Sequence, residues 1–257
     1  MKAEEVDPKG KEWRHLIGES YQSTLYTMPE WMGLHPVTAL IAFQGSEPQG
    51  GMVVASSLTP LALVPYQGLL LLKREDKVAS ECLIMEAEKL KRPLSVWNAP
   101  HLVDIRPFTW RWFDSKVMWQ HDIRYTYICH QHAQMEARSM ANVTNAKVER
   151  EEGREWFGKW KDQPWVTDEI SRLMEKILGF ASVEVWHDGD AHVIWGTDVN
   201  KRGYYLGSVG KPTNVLASLI KRHDTTDLVG CNSPERALFK RGFGGALRTA
   251  YGMRLVQ

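Results

Sequence analysis

Residues 182–229 read SVEVWHDGDAHVIWGTDVNKRGYYLGSVGKPTNVLASLIKRHDTTDLV, and their changing periodicity decides the architecture. Ser182 to His187 and Ala191 to Thr197 are β-rich runs joined at Asp188-Gly189, a dipeptide suited to a tight hairpin turn. Gly203 to Ser208 supplies a third strand, Thr213 to Arg222 a helix, and Thr226 to Val229 a short strand. Three helical stretches lie upstream, at Gln134 to Lys147, Glu151 to Trp160 and Thr167 to Leu178. The last carries Ile170, Leu173, Met174, Ile177 and Leu178 on one stripe, with Thr167 placed to cap it, Asp168 and Glu169 in its first turn and Gly179 at its end.

The first half repeats this order. Glu12 to Ser20 is amphipathic through Trp13, Leu16 and Ile17, and a short helical piece follows at Pro29 to Met32. Val37 to Phe43 and Gly51 to Ser57 form a hairpin across the turn-rich loop from Gln44 to Gly50, and Tyr66 to Leu72 is the third strand. Asp76 to Lys91 is a helix stopped by Pro93, and Leu94 to Trp97 is a short buried strand. Thr109 to Phe113 and Ile123 to Cys129 are also expected to be strands. Each half thus runs helices, hairpin, third strand, helix, short strand, with no repeat at the level of individual residues. The expectation is an α/β protein of two similar lobes with mixed sheets, 1–130 and 131–257, whose last strand can pair back with the first lobe.

The chain has 257 residues, enough for one large domain or two small lobes, and its 43% hydrophobic and 25% charged residues are those of an ordinary globular protein. A formal charge of +1 gives no global field toward DNA or an anionic membrane, so a phosphate-bearing ligand needs a local basic patch. Cys82, Cys129 and Cys231 fit no metal-ligand spacing and read as reduced thiols, and neither a signal peptide nor an apolar run long enough to span a membrane is visible. A cytoplasmic protein is expected.

The segment Asp227-Leu228-Val229-Gly230-Cys231-Asn232-Ser233-Pro234, followed by Leu238-Phe239-Lys240-Arg241-Gly242-Phe243-Gly244 and then Tyr251, resembles the C-terminal signature of the FemAB-like proteins. Tyr26-Thr27-Met28-Pro29-Glu30-Trp31 is similar to that family's N-terminal aromatic turn, Arg124-Tyr125-Thr126-Tyr127 to its central strand, and Gly203 to Ser208 to the strand lining its cleft. The resemblance spans most of the chain, and its one sharp motif is Phe239-Lys240 to Gly244. It implies two tandem GNAT-like lobes and an acyltransferase; the family includes aminoacyl-tRNA-dependent peptidyltransferases of cell-wall synthesis and many proteins described as acetyltransferases. Two departures count against a peptidoglycan precursor and a large polyanion as ligands. Met32 to Phe43 holds only His35 as a basic candidate, and Met135 to Lys147 carries only Arg138 and Lys147.

Amide formation from an ester or thioester needs a deprotonated amine, positive charge or N–H donors at the developing oxyanion, and alignment of both substrates. The resemblance places Lys240 as that cation; the alternative is a surface lysine beside Arg241. Asp227, at a strand end, either orients or deprotonates the amine, or starts a turn. Asn232 either contacts the acceptor or caps the following helix, a role Ser233 can also fill. Tyr205, Trp31, Phe243, Gly244 and Arg241 are the candidate substrate-binding residues. Arg241 to Ala246 also fits the GNAT pyrophosphate loop, yet Leu247 to Leu255 reads as a closing strand, which removes the helix dipole such a loop uses. Trp156 and Trp160, four apart, read as core. His130-Gln131-His132 lacks a third ligand, so no metal is expected.

The expected activity is transfer of an acyl or aminoacyl group from a tRNA ester or a coenzyme A thioester to the amine of a small molecule or peptide. The donor, acyl-CoA or aminoacyl-tRNA, is a co-substrate, no cofactor is held tightly, and tRNA is the one macromolecular partner in view. The alternative is a catalytically inactive GNAT-fold module used for binding or assembly.

Overall fold

A computed structural model describes all residues except 74–75, 91–92, 103, 116, 133, 136–147, 152 and 256–257, and for 112–115 it describes the backbone alone. The chain forms two compact units: Met1–Arg124 with Thr249–Gln257, and Tyr125–Arg248.

In unit 1, the strands β1 (Lys2–Val6), β2 (Val37–Gln44), β3 (Glu47–Ala55), β4 (Leu69–Leu71) and β5 (Leu94–Trp97) assemble antiparallel, and the last strand of the chain, β12 (Ala246–Leu255), joins them. β3 divides its edge: Gly50 to Met52 pair with β4, whereas Ala55 pairs with Ser95 of β5. Gly252 to Leu255 then pair with Trp97 to Leu94. Alternation along β2 and β3 sends side chains to both faces. Leu40, Ala42, Met52 and Val54 meet Leu83, Ile84 and Ala87 of helix α3 (Lys77–Glu88). Ala39, Ile41 and Val53 meet Trp13, Leu16 and Ile17 of helix α1 (Lys11–Glu19). Helix α2 (Pro29–Met32) carries Trp31 and Met32 inward.

Where β4 and β5 part, unit 1 is filled by its own side chains. The Leu69 N–H donates to Asn98 Oδ1 at 3.0 Å and the Leu71 N–H to Gln22 Oε1 at 2.7 Å, and both of these side chains are buried. Backbone donors that a ligand carbonyl could meet there are therefore taken.

Several sequence expectations are corrected. Thr109 to Phe113 is not a strand but lies inside helix α4 (Arg106–Ser115). Pro107 suits a helix start, the Arg106 guanidinium lies 5.4 Å over the Trp110 ring four residues on, and Thr109 Oγ1 donates to the Arg106 carbonyl. The Gln44–Gly50 loop shrinks to Gly45-Ser46, with Gly45 at φ 66°. β1 was not anticipated: its charged residues form an edge strand with little burial. From 136 onward, the helix expected at Gln134 to Lys147 falls outside the described residues.

Unit 2 is built on the order β6, β11, β10, β9, β8, β7, from β6 (Trp119–His130, of which Tyr125 onward lies in this unit), β7 (Glu149–Arg150), β8 (Val183–Asp188), β9 (Ala191–Thr197), β10 (Gly203–Val209) and β11 (Thr225–Asp227). β10 and β11 run parallel, so a crossover must link them. Helix α7 (Thr213–Ile220) makes that crossover, burying Val215, Leu216, Leu219 and Ile220 against Val193, Trp195 and Leu228. Ahead of the sheet come α5 (Glu155–Lys161), opening four residues later than the sequence suggested, and α6 (Asp168–Ile177), capped by Thr167 as expected. The rings of Phe157 and Trp160 stack at 5.4 Å, and Trp160 is fully buried. Helix α8 (Pro234–Arg241) lies between β11 and β12. Among the described residues no helix is long and apolar enough to cross a membrane.

Candidate functional site

The parallel pair β10–β11 has only two registered positions, Gly203 with Thr226 and Tyr204 with Asp227. Beyond them the strands part. β10 continues to Val209 with a register shift between Tyr205 and Gly207, whereas β11 ends. The segment after β11 still follows β6, since the N–H groups of Leu228 and Cys231 donate to the carbonyls of Tyr127 and Tyr125 at 2.9 Å each. Between these anchors Val229 has φ 46° and Gly230 φ 71°. A β-branched residue in the left-handed region is a conformational outlier that its surroundings must impose.

Asp227 helps to impose it. Its Oδ1 accepts the Val229 N–H at 2.7 Å and the Thr126 hydroxyl at 2.5 Å, and the residue is buried. The turn directs the carbonyls of Leu228, Val229 and Gly230 to a single point occupied by Lys240 Nζ, which donates to all three, at 2.5 Å to Val229. Lys240 sits in the last turn of α8 and is 4% exposed, which excludes the surface-lysine alternative. An ammonium has three donors, and all three are occupied. Burial pushes Lys240 down to about 8, with Asp227 acting in the opposite sense.

Tyr205 closes the other side. Its ring centroid lies 5.5 Å from Lys240 Nζ, and its hydroxyl and Ser208 Oγ are 2.6 Å apart. Burial raises the phenol. Phe243 is buried edge-on to Phe239, 5.3 Å between centroids. Gly244, at φ 74°, allows close passage of Gln134, because a Cβ there would lie 2.0 Å from the Gln134 carbonyl oxygen. Arg241 is exposed.

The structure thus brings Lys240, Asp227 and Tyr205 together and gives the other candidates different tasks. Asn232 accepts the Tyr125 N–H at 3.0 Å and does not cap α8; Ser233 does, accepting the Arg236 N–H. Trp31 belongs to unit 1, where it is 1% exposed and packs edge-on against Tyr26 at 5.2 Å, so it presents no surface to a ligand. The Arg241–Ala246 loop leads into β12, so no helix dipole backs it. Reading residues by type missed the backbone: three carbonyls, set by Val229 and Gly230, are the immediate surroundings of Lys240. A Val-Gly pair two residues after a strand-ending Asp was the available signal.

No family model and no curated protein matches the sequence. In three dimensions the chain superposes on the crystal structure of FemX with a TM-score of 0.68, at 10% identity, covering 98% of this chain and 97% of that one. This is the tandem GNAT fold. Consistent with it are a GNAT-family acetyltransferase from Colwellia psychrerythraea, TM-score 0.54 at 10% identity over the whole of both chains, and a tandem GNAT protein from the clavulanic acid biosynthesis pathway. The latter aligns with a TM-score of 0.53 at 11% identity, over 98% of this chain and 97% of its own. Within this tandem GNAT fold, the strand order of unit 2 opens beside β10, where Lys240 and Tyr205 meet, whereas the corresponding opening in unit 1 is occupied by Asn98 and Gln22.

Proposed function

We propose that the protein is an N-acyltransferase whose cleft lies in unit 2, where β10 and β11 part. It transfers an acyl or aminoacyl group from a coenzyme A thioester or an aminoacyl-tRNA ester to the amine of a small molecule or peptide. The observation that carries this reading is the buried charge of Lys240, held beneath the Tyr205 ring at the point of divergence. In the reaction the amine nitrogen bonds to the acyl carbon, the C–S or C–O bond breaks, and the amine proton passes to the leaving sulfur or oxygen. Because the Lys240 hydrogens already have acceptors, its contribution is a fixed positive charge rather than a free N–H. Charge fixed in a poorly hydrated site stabilises an oxyanion without reorganising during the reaction.

Asp227 holds the turn that sets the three carbonyls and supplies the negative charge that draws the amine. Asn232 fixes the adjoining loop to β6. Tyr205 and Phe243 shape the acyl side, Gly244 permits the close passage, and the exposed Arg241 meets donor phosphate. The test offers the protein labelled acetyl-CoA or labelled aminoacyl-tRNA together with a panel of amines. Amide product from either donor, lost in Lys240→Met, is the expected result.

A second reading is favoured by the same hydrogen bonds, since a fully engaged Lys240 and a turn-capping Asp227 also describe a folded module that binds without reacting. Saturable binding of a donor with no product from any amine establishes that reading instead.

A further inference from the structure

At the far end of the unit 2 sheet, three side chains that the cleft does not use converge. His187 and His192 are directly opposed in the β8–β9 register, so both imidazoles stand on one face of the hairpin. Glu151 follows β7, and its N–H donates to the Val185 carbonyl at 2.8 Å, which continues the β7–β8 pairing and places its side chain on the face of Val185 and His187. One ligand atom from each of the three lies within 4.8 Å of the others.

The hydrogen bonding around these groups is that of a metal ligand set. His192 Nδ1 lies 3.3 Å from the Asp190 carbonyl, an acceptor only, so that nitrogen carries the hydrogen. In the neutral ring Nε2 then presents a lone pair, and it faces Glu151 Oε2 at 3.1 Å. Two acceptors at that distance need a proton or a cation between them. The other carboxylate oxygen, Oε1, accepts the Gly153 N–H at 2.7 Å, which fixes the Glu151 group. His192 is also held between rings, stacked on Trp156 at 5.9 Å and on His187 at 5.5 Å. A ligating imidazole whose second nitrogen donates to a backbone carbonyl, beside a carboxylate that is itself hydrogen-bonded, is the outer-shell pattern of protein metal sites.

We propose that Glu151, His187 and His192 bind a zinc-class divalent cation. Two nitrogens and one carboxylate oxygen favour first-row metals such as zinc, cobalt or nickel over magnesium or calcium. In a tetrahedral zinc site, bonds of roughly 2.0–2.1 Å put ligand atoms about 3.3 Å apart, and the Glu151–His192 contact already has that spacing. Rotation of the partly exposed His187 brings in the third ligand. Three protein ligands leave one position for water, and the cation ties β7 and the approach to α5 to the β8–β9 hairpin.

The test is titration of the chelator-stripped full chain with cobalt chloride, followed by visible absorption, and with zinc chloride, followed by calorimetry. One equivalent binding at micromolar concentration or tighter, with the intense absorption of four-coordinate cobalt and a metal-dependent rise in Tm, is expected. Glu151→Gln and His187→Ala should each weaken binding by roughly 10-fold or more, within the range seen when metal-site groups are lost, whereas His132→Ala should not. Melting temperatures in chelator show whether each variant is folded, and Glu151→Gln, nearly isosteric, carries the decision if His187→Ala is not. No binding at 100-fold molar excess of metal, or equal affinity in Glu151→Gln and the wild type, overturns the proposal and leaves a histidinium–carboxylate pair.

Discussion

Lys240→Met removes a charge from the cleft and a donor from three carbonyls at once. Turnover is expected to fall by roughly 100-fold, the scale seen when one oxyanion-stabilising group is lost. Stability is expected to fall by about 1–3 kcal/mol, because buried carbonyls are left without partners. Single-turnover transfer and urea unfolding of Lys240→Met, with Lys240→Arg as the charge-preserving partner, separate the two effects; wild-type turnover in the folded Met variant would end the catalytic assignment. Arg241→Met, at an exposed site, should change stability by no more than about 0.5 kcal/mol and weaken donor binding, while turnover at saturating donor stays near wild type. The pH dependence follows from the same burial. Lys240 is pushed down to about 8 in the folded chain, against about 10.4 unfolded, so the unfolded state binds more protons between those values. The cost of the buried charge is therefore present in full below about pH 8 and fades as pH rises toward 10.4. Wild type should gain stability relative to Lys240→Met across that window, and a constant difference would show that the carbonyls keep the ammonium charged throughout. That Lys240, Asp227 and Tyr205 lie together was legible, because the family resemblance groups them. Trp31 was not, because an aromatic in a motif looks the same whether it meets a ligand or, as here, Tyr26.

The turn at Val229-Gly230 decides where the carbonyls point, and it holds a β-branched residue at φ 46°. Val229→Gly should therefore raise the urea midpoint. Relief of left-handed strain is worth about 1–2 kcal/mol, against an entropic cost of roughly 0.5–1 kcal/mol for glycine. A lowered midpoint would mean that packing of the valine side chain outweighs its backbone strain. The crossover helix α7 is held by packing, and Leu216→Ala, at a fully buried site, should cost about 2–5 kcal/mol as measured by chemical denaturation. Elements with strong periodicity were legible in the sequence: α6 with its cap and stripe, and the hairpin at Asp188-Gly189. α4 was misread because Thr109 to Phe113 mixes a β-branched residue with aromatics, a composition that favours strands until the local bonds of Arg106 override it. β1 and β7 went unseen for a different reason. Exposed, charged edge strands carry no hydrophobic alternation, and their pairing is fixed by the neighbour they join.

With a formal charge of +1, the molecule has no general attraction for polyanions, so the salt dependence of donor binding reports the donor itself. Coenzyme A, with few phosphates, should bind with a shallow slope of log affinity against log salt. A tRNA acceptor end should add roughly 0.7 to the slope for each phosphate contacted. Filter binding or calorimetry between low and physiological salt distinguishes them, and tight binding of tRNA that ignores salt would contradict both. The repeated order of helices and strands was visible in the chain, and so was the return of its last strand to the first lobe; the residue at which β12 changes unit was not, since nothing in residues 246–255 marks it. Thr249 onward belongs with residues 1–124, and Gly252 to Leu255 pair with Leu94 to Trp97. The consequence concerns time. A chain made on the ribosome from its N-terminus has all of β1 to β5 in hand long before β12 exists, so unit 1 waits, one edge unpaired, while the whole of unit 2 is synthesised. Unit 2 residues through 248 are continuous and face no such delay. Folding on the ribosome should therefore run against the order of the sequence, the later unit maturing first, and pulse proteolysis of released chains truncated after residue 248 should find residues 1–124 cut and 125–248 protected.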